Sequence, residues 1–311
     1  GLEHHMITER IDAITKIAPE YLQTVLAAPK SVKIELSPRC NYRCGFCALR
    51  TRKIQPKKDM DFSFFKRVTR EMREAGVEEI GCFYLGESFM NPRLLSDAIA
   101  YLKQELEYPY VFLTSNASLA TPDKVRDCMK AGLDSLKWSV NASDDKQFNR
   151  VMQVKPKLYS KALENIAAAW EVREQGGFKT GLYASSIRYD GEQHEKMESL
   201  LDSRVRPYVD QHYWLPLYSM GSMAEQRERE LGYRPTAGNQ GRLGALRDPL
   251  PCWSVFMEGH LTAKGDLSAC CFDADDRWSM GNLHELPFME AWNSTRFKEL
   301  RAAHLEKNVA G

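Results

Sequence analysis

About six times between residues 31 and 216, a short apolar run with strand character alternates with a longer segment of helical period. Val32, Ile34 and Leu36 alternate with polar residues, and Phe62 to Met72 then carries a helical repeat that Gly76 is placed to end. EEIGCFYLG, residues 78–86, reads as a strand, and Pro92 opens a helix bearing Leu95, Ile99 and Leu102. YVFLT (110–114) is a strand, Thr121 with Pro122 caps a helix closed by Gly132, and LDSLKWSV (133–140) is a strand again. A helix over 158–175 ending at Gly176 and Gly177, the strand FKTGLYASS (178–186), a helix over 192–203 and a last strand within 208–215 complete the series. Such a series predicts a parallel sheet with right-handed crossovers, curled into a partial (β/α)6 TIM-like barrel. Sites in barrels of this kind lie at the C-terminal ends of the strands.

The chain has 311 residues, 43% of them hydrophobic, enough to bury a large core. Its net charge of +1, from 43 basic and 42 acidic residues, argues against nucleic acid or a membrane surface as main partner. No run of about 18 apolar residues and no charged-then-apolar leader is present, which predicts a cytoplasmic protein. GLEHH, residues 1–5, reads as a tag remnant, and His4 and His5 are left out of the functional reading. The expected divisions are a helical lead-in over 6–30, the barrel over 31–216, a connecting region over 217–250, and a small β-hairpin-plus-helix extension over 251–311.

Eight cysteines in a reducing compartment point to metal or catalysis rather than to disulfides. Cys82 and Cys128 stand alone inside element-like segments and read first as small buried hydrophobes. Cys40, Cys44 and Cys47 instead share a C-x3-C-x2-C spacing immediately after the first strand. Three thiolates do not close a structural zinc site, whereas a cubane iron–sulfur cluster held by three leaves one iron open to an outside ligand. A zinc site completed by a distant ligand is the alternative.

A C-x3-C-x2-C loop after the first strand of a six-unit β/α chain resembles the radical S-adenosylmethionine superfamily. The resemblance implies a [4Fe-4S] cluster whose open iron binds S-adenosylmethionine. An electron from a flavodoxin- or ferredoxin-type donor then cleaves the cofactor to a 5′-deoxyadenosyl radical that abstracts a substrate hydrogen. It further implies that Phe46 lies beside the adenine. Gly86 and Glu87 of LGES match a Gly-Gly-Glu-Pro element whose carboxylate accepts from the cofactor ammonium, although Leu85 and Ser88 depart from it. Ser115 and Asn116 of TSNAS resemble the ribose-binding run, and Ser139 of WSVNAS with Arg150 beyond it is similar to the run after the fourth strand. Taken singly, each of these is also what strand ends and turns carry.

PCWSVFMEGHLTAKGDLSACC spaces Cys252, Gly265 and Cys270 as C-x12-G-x4-C. This resembles the opening of SPASM and twitch extensions, in which two cysteines on a β-hairpin, with glycine at the turn, help bind an auxiliary iron–sulfur cluster. The following GNLHELPFMEAWNSTRFKELR is similar to the Gly-Asn-Leu run and Trp-containing helix of such extensions. Their further C-x2-C pair is not met before Gly311, so Cys271 and Asp273 are alternative ligands and truncation is the favoured explanation.

Together these readings imply an oxidoreductase or lyase acting on a small polar substrate of sugar, cyclitol or nucleoside type, most simply by oxidation. A peptide or protein maturase is the first alternative, and redox-neutral elimination, decarboxylation or epimerisation of a sugar-like substrate the second. Cys82, Cys271 and His212 are candidate catalytic groups, the thiols as hydrogen donors. His212, Tyr213, Trp214 and Tyr218 are candidates for a pocket wall, and the basic loop from Arg50 to Lys58 is a candidate anion contact.

Overall fold

The structure, a computed structural model, describes residues 6–42, 57–152, 155–189, 191–216, 250–270 and 279–307. Helix α1 (Ile7–Ile14) precedes β1 (Ser31–Ile34), α2 (Phe62–Ala75), β2 (Glu79–Gly81), α3 (Pro92–Ala100), β3 (Tyr110–Ser115), α4 (Pro122–Ala131) and β4 (Ser135–Ser139). After these come α5 (Asp145–Met152), α6 (Lys157–Gly176), β5 (Gly181–Ile187), α7 (Gly191–Arg204) and β6 (Gln211–Leu215). The C-terminal part contains α8 (Ser254–Met257), β7 (Glu258–Leu261), β8 (Asp266–Ser268), β9 (Ser279–Asn282), α9 (Phe288–Trp292) and α10 (Thr295–Leu305).

Local chemistry explains the boundaries. The Asp61 carboxylate accepts from Phe64 N at the start of α2, and Gly76, at φ +112°, ends that helix in a conformation that side chains disfavour. Asn91 caps α3 by accepting from Leu94 N, with Pro92 in the first turn. β2 is shorter than the apolar run suggests, because the chain turns at Gly86 and Glu87 to pack on the segment leaving β1.

The nine strands form one sheet in the order β6-β5-β4-β3-β2-β1-β7-β8-β9. β1 to β6 are parallel neighbours, as the alternation predicts. The extension is continuous with the barrel sheet: β7 pairs parallel with β1, Ser31 opposite Glu258 and Ile34 opposite Leu261, before β8 and β9 return antiparallel. The single Trp-containing helix expected there is two helices, because Ser294 caps a fresh start by accepting from Phe297 N.

Val32, Ile34, Ile80, Leu113, Leu136 and Leu182 are fully or almost fully buried in a cluster with Phe65, Val68 and Met72 of α2, Leu95 of α3 and Ile166 of α6. The alternate residues of these strands face the barrel interior. α1 covers its lower end, where Arg10 meets Glu79 of β2 at 2.8 Å and Gln211 of β6 donates to the Thr8 hydroxyl at 3.0 Å. Among the described residues no helix is long and apolar enough to cross a membrane.

Candidate active site

Cys40 stands six residues beyond the end of β1, and its sulfur accepts from Tyr42 N at 3.4 Å. An N–H aimed at sulfur favours the thiolate, the form that ligates metal. The loop is tied at both ends: Arg39 donates to both carboxylate oxygens of Asp59 at 3.3 and 2.9 Å, and Asn91 adds a 2.8 Å bond to Asp59. Burial would raise the Asp59 carboxyl, but hydrogen bonds from Ser37, Asn91 and Arg39 and the guanidinium charge hold it below the usual carboxylate range. Cys44, Phe46 and Cys47 lie outside the described residues, as does the basic loop up to residue 56.

The turns after β2 and β3 close on this loop from one side. Glu87 N donates to Arg39 O at 2.8 Å, and a Cβ on Gly86 would come within 2.0 Å of Ser37 O, so glycine is required by close backbone approach. Asn41 donates to the Ser118 hydroxyl at 2.7 Å and accepts from the Asn116 amide at 3.0 Å. Tyr42 packs edge-on against Phe148 of α5, ring centroids 5.2 Å apart, beside a small cavity that Asn116 and Ser139 also line.

The Glu87 carboxylate, 3% exposed, accepts from Phe89 N, Ser115 Oγ and Asn116 N at 3.2, 2.9 and 2.9 Å. Burial raises its pKa, and those three donors oppose the rise. The carboxylate expected to face a ligand ammonium thus braces the turn after β2 against the turn after β3. Ser115 and Asn116 join the same network: Ser115 Oγ also accepts from Ala117 N, and the Asn116 amide oxygen accepts from Ser118 N and Oγ. Ser139, at the end of β4, keeps partial exposure on the cavity, while Arg150 is exposed on α5.

Two candidate catalytic groups lie away from the barrel interior. Cys82 is fully buried with Ile80 on the helix-facing side, close to Cys128 of α4, and burial drives its pKa up strongly. A hydrogen-donating role needs access that this position lacks. His212 bonds Ser186 Oγ at 3.0 Å and contacts Trp214, which packs on His194 of α7; burial lowers the His212 pKa to about 4. Strand alternation turns both rings outward and leaves Tyr213 facing inward. Cys271, Asp273 and Tyr218 lie outside the described residues.

Cys252 and Cys270 flank the β7–β8 hairpin, whose turn has Gly265 at φ +97°. Burial pushes the Cys252 thiol up to about 11, with nearby Cys270 adding to the shift. Cys252 N donates to His304 Nδ1 at 3.0 Å. The Cys270 carbonyl accepts from Tyr84 OH, in the segment after β2. These contacts fix the backbone at both cysteines, and with the thiol of Cys252 raised by burial a soft metal centre there would have to displace its proton, whereas the N–H-assisted thiol at Cys40 already favours the ligating form.

Sequence reasoning passed over a further feature. Lys33 and Lys137, in the middle of apolar strands, turn into a barrel cavity of about 150 Å³ lined also by Arg10, Phe112, Tyr213 and Glu258. The signal was a lysine inside VKIEL and inside LKWSV, where a buried parallel strand ordinarily carries apolar residues.

Residues 34–173 match the model of the radical SAM superfamily, and residues 252–310 match that of an iron–sulfur cluster-binding domain, SPASM. Among curated proteins the chain is similar to the S-adenosylmethionine-dependent nucleotide dehydratase RSAD2 of Danio rerio, 34% identical over 114 residues, and of Oncorhynchus mykiss, 30% identical over 124. These matches cover 35% and 38% of this chain and 30% and 34% of the relatives, about a third of their length. Among solved structures it is similar to Streptococcus suis SuiB bound to S-adenosylmethionine (TM-score 0.67, 16% identity, 90% of this chain and 69% of that one). BtrN in complex with AdoMet and 2-DOIA gives a TM-score of 0.57 at 13% identity, over 89% of this chain and 87% of that one. These likenesses show a shared fold.

Proposed function

The chain belongs to the radical S-adenosylmethionine superfamily and carries a SPASM-type extension; on that premise we propose that it oxidises a small polar substrate of sugar, cyclitol or nucleoside type inside the barrel. The observation that carries this reading is the pairing of β7 with β1, which joins the hairpin bearing Cys252 and Cys270 to the strand that leads to Cys40. An electron acceptor built onto the same sheet as the radical site suits removal of an electron from the substrate.

When bound, the [4Fe-4S] cluster and S-adenosylmethionine supply a hydrogen-abstracting carbon radical, the reducing electron coming from a flavodoxin- or ferredoxin-type donor. Cys40, Cys44 and Cys47 are the proposed cluster ligands, with Arg39 and Asp59 holding the ends of their loop. Glu87 fixes the turns after β2 and β3, so that Gly86, Asn116 and Ser139 keep their positions around the cofactor, with Phe46 against its adenine. Cys252 and Cys270 contribute to the auxiliary cluster.

A second reading, redox-neutral elimination on a nucleotide, has support from the partial likeness to the nucleotide dehydratases. Anaerobic reconstitution followed by measurement of 5′-deoxyadenosine tests the common core. Formation is expected in the wild type and is lost when Cys40, Cys44 and Cys47 are all replaced by Ala; retained formation in that variant ends the radical reading. Product analysis then decides the class: a substrate lighter by two hydrogens supports oxidation, and loss of water supports elimination.

A further inference from the structure

Among the described residues, the walls of the barrel cavity carry more positive than negative charge. Arg10 has Glu79 at 2.8 Å, and Lys33 has Glu258 at 3.2 Å. Glu258 is held well below the usual carboxylate range: burial pushes it up, and Lys33 and His260 outweigh burial. Burial lowers the pKa of His260, 3.3 Å from Glu258, and favours its neutral form. Lys137 has no carboxylate within ion-pair distance among the described residues; its ammonium lies 6.0 Å from the centre of the Tyr213 ring.

A half-buried ammonium beside a second ammonium is disfavoured, and burial together with Lys33 lowers the Lys137 pKa to about 7. Its surroundings favour an incoming anion. Phe83, Phe112 and Leu215 give the cavity apolar walls, which strengthen attraction between charges. The volume of about 150 Å³ matches about five water molecules, enough for a phosphate or carboxylate head. Ser139 lies two residues beyond Lys137 on the same face of β4, about 7 Å nearer the strand ends, where the start of the cysteine loop from Arg39 to Tyr42 sits. A substrate anchored at Lys137 therefore extends toward that loop.

We propose that Lys137, with Lys33 beside it, binds an oxyanionic group of the substrate, a phosphate or a carboxylate, and so selects anionic over neutral substrates. This rests on the reading that the barrel interior is the substrate site. Lysine suits the task as a compact point charge that takes either oxyanion.

The test uses the reconstituted full chain and two probes, inorganic phosphate and malonate, against sodium chloride at equal ionic strength. At least one probe is expected to raise the thermal unfolding midpoint of the wild type, with the rise lost in Lys137→Met and retained in Lys137→Arg. The probe that acts identifies the oxyanion. Independently of any variant, acetylation of Lys137 in the wild type, read by peptide mass spectrometry, should slow about fivefold relative to the exposed Lys130 when the probe reaches about four times its dissociation constant. No protection by either probe, or an equal midpoint rise in Lys137→Met, overturns the proposal. Cleavage of S-adenosylmethionine without an anion effect removes this site and leaves the radical reading; an anion effect without cleavage does the reverse.

Discussion

The Ser115 hydroxyl at the end of β3 donates to the Glu87 carboxylate just beyond β2 at 2.9 Å, and both residues are almost wholly buried. The bond joins two strand-end turns that the cysteine loop rests on. It gives Glu87 a bracing role in the turns around the ligand site, beside the ligand contact expected of it.

Glu87→Gln replaces one carboxylate oxygen by an NH2 group that meets donors already aimed at it. Its expected cost is about 2 kcal/mol of stability, measured by denaturant unfolding, together with weaker S-adenosylmethionine binding. Unchanged stability with weakened binding would assign Glu87 a direct ligand role alone.

Gly86→Ala sets a Cβ 2.0 Å from Ser37 O, a backbone atom that cannot rotate away. A loss of about 3 kcal/mol or more is expected, with lower iron retention, because the displaced segment leads to Cys40. Unfolding curves and iron assay check both; wild-type values for the pair would mean that the turns after β1 and β2 separate at little cost.

Cys252→Ser with Cys270→Ser should roughly halve the iron bound per chain while 5′-deoxyadenosine formation persists and substrate oxidation stops. Normal turnover in this double variant would exclude the auxiliary centre from the reaction and favour the redox-neutral reading.

Lys137→Met should be more stable than wild type at neutral pH, by about 2 kcal/mol after allowance for cavity water. The folded pKa of Lys137, about 7, lies below the ordinary lysine value. Between about pH 7 and about pH 10 the unfolded chain therefore binds the extra proton, and wild-type stability gains with rising pH. The penalty is most of the way to its full value at pH 7 and complete below about pH 6. Among the described residues the titratable groups facing Lys137 are Lys33 from β1, Arg10 from α1, Tyr183 from β5, Tyr213 from β6 and Glu258 from β7. Denaturant unfolding of both proteins at pH 7 and about pH 9 should show the variant's advantage shrinking; a constant difference would mean that the ammonium is hydrated and unshifted.

Much of this architecture could be read without coordinates. The alternation of Val32, Ile34 and Leu36 with polar neighbours, the helical repeat from Phe62 to Met72 and the stops at Gly76 and Gly132 are relations between residues a few positions apart, and each reappears in the elements observed. The cysteine spacings belong to the same local class. Periodicity within one element also explains why a strand could be drawn through both His212 and Tyr213 without deciding which side chain enters the barrel.

Contacts between distant segments were decided by the tertiary structure. That Glu87 spends its carboxylate on Ser115 and Asn116, that β7 lies beside β1, and that Cys82 faces α4 follow from strand register and from how six crossovers pack. The charge at Lys137, without a carboxylate at ion-pair distance among the described residues, is of this kind. Lysine in an apolar strand is visible in LKWSV, but its lack of a carboxylate partner among the described residues depends on Glu258 meeting Lys33 and Glu79 meeting Arg10, pairings across the barrel that sum many weak packing preferences and leave no mark on any single stretch of sequence.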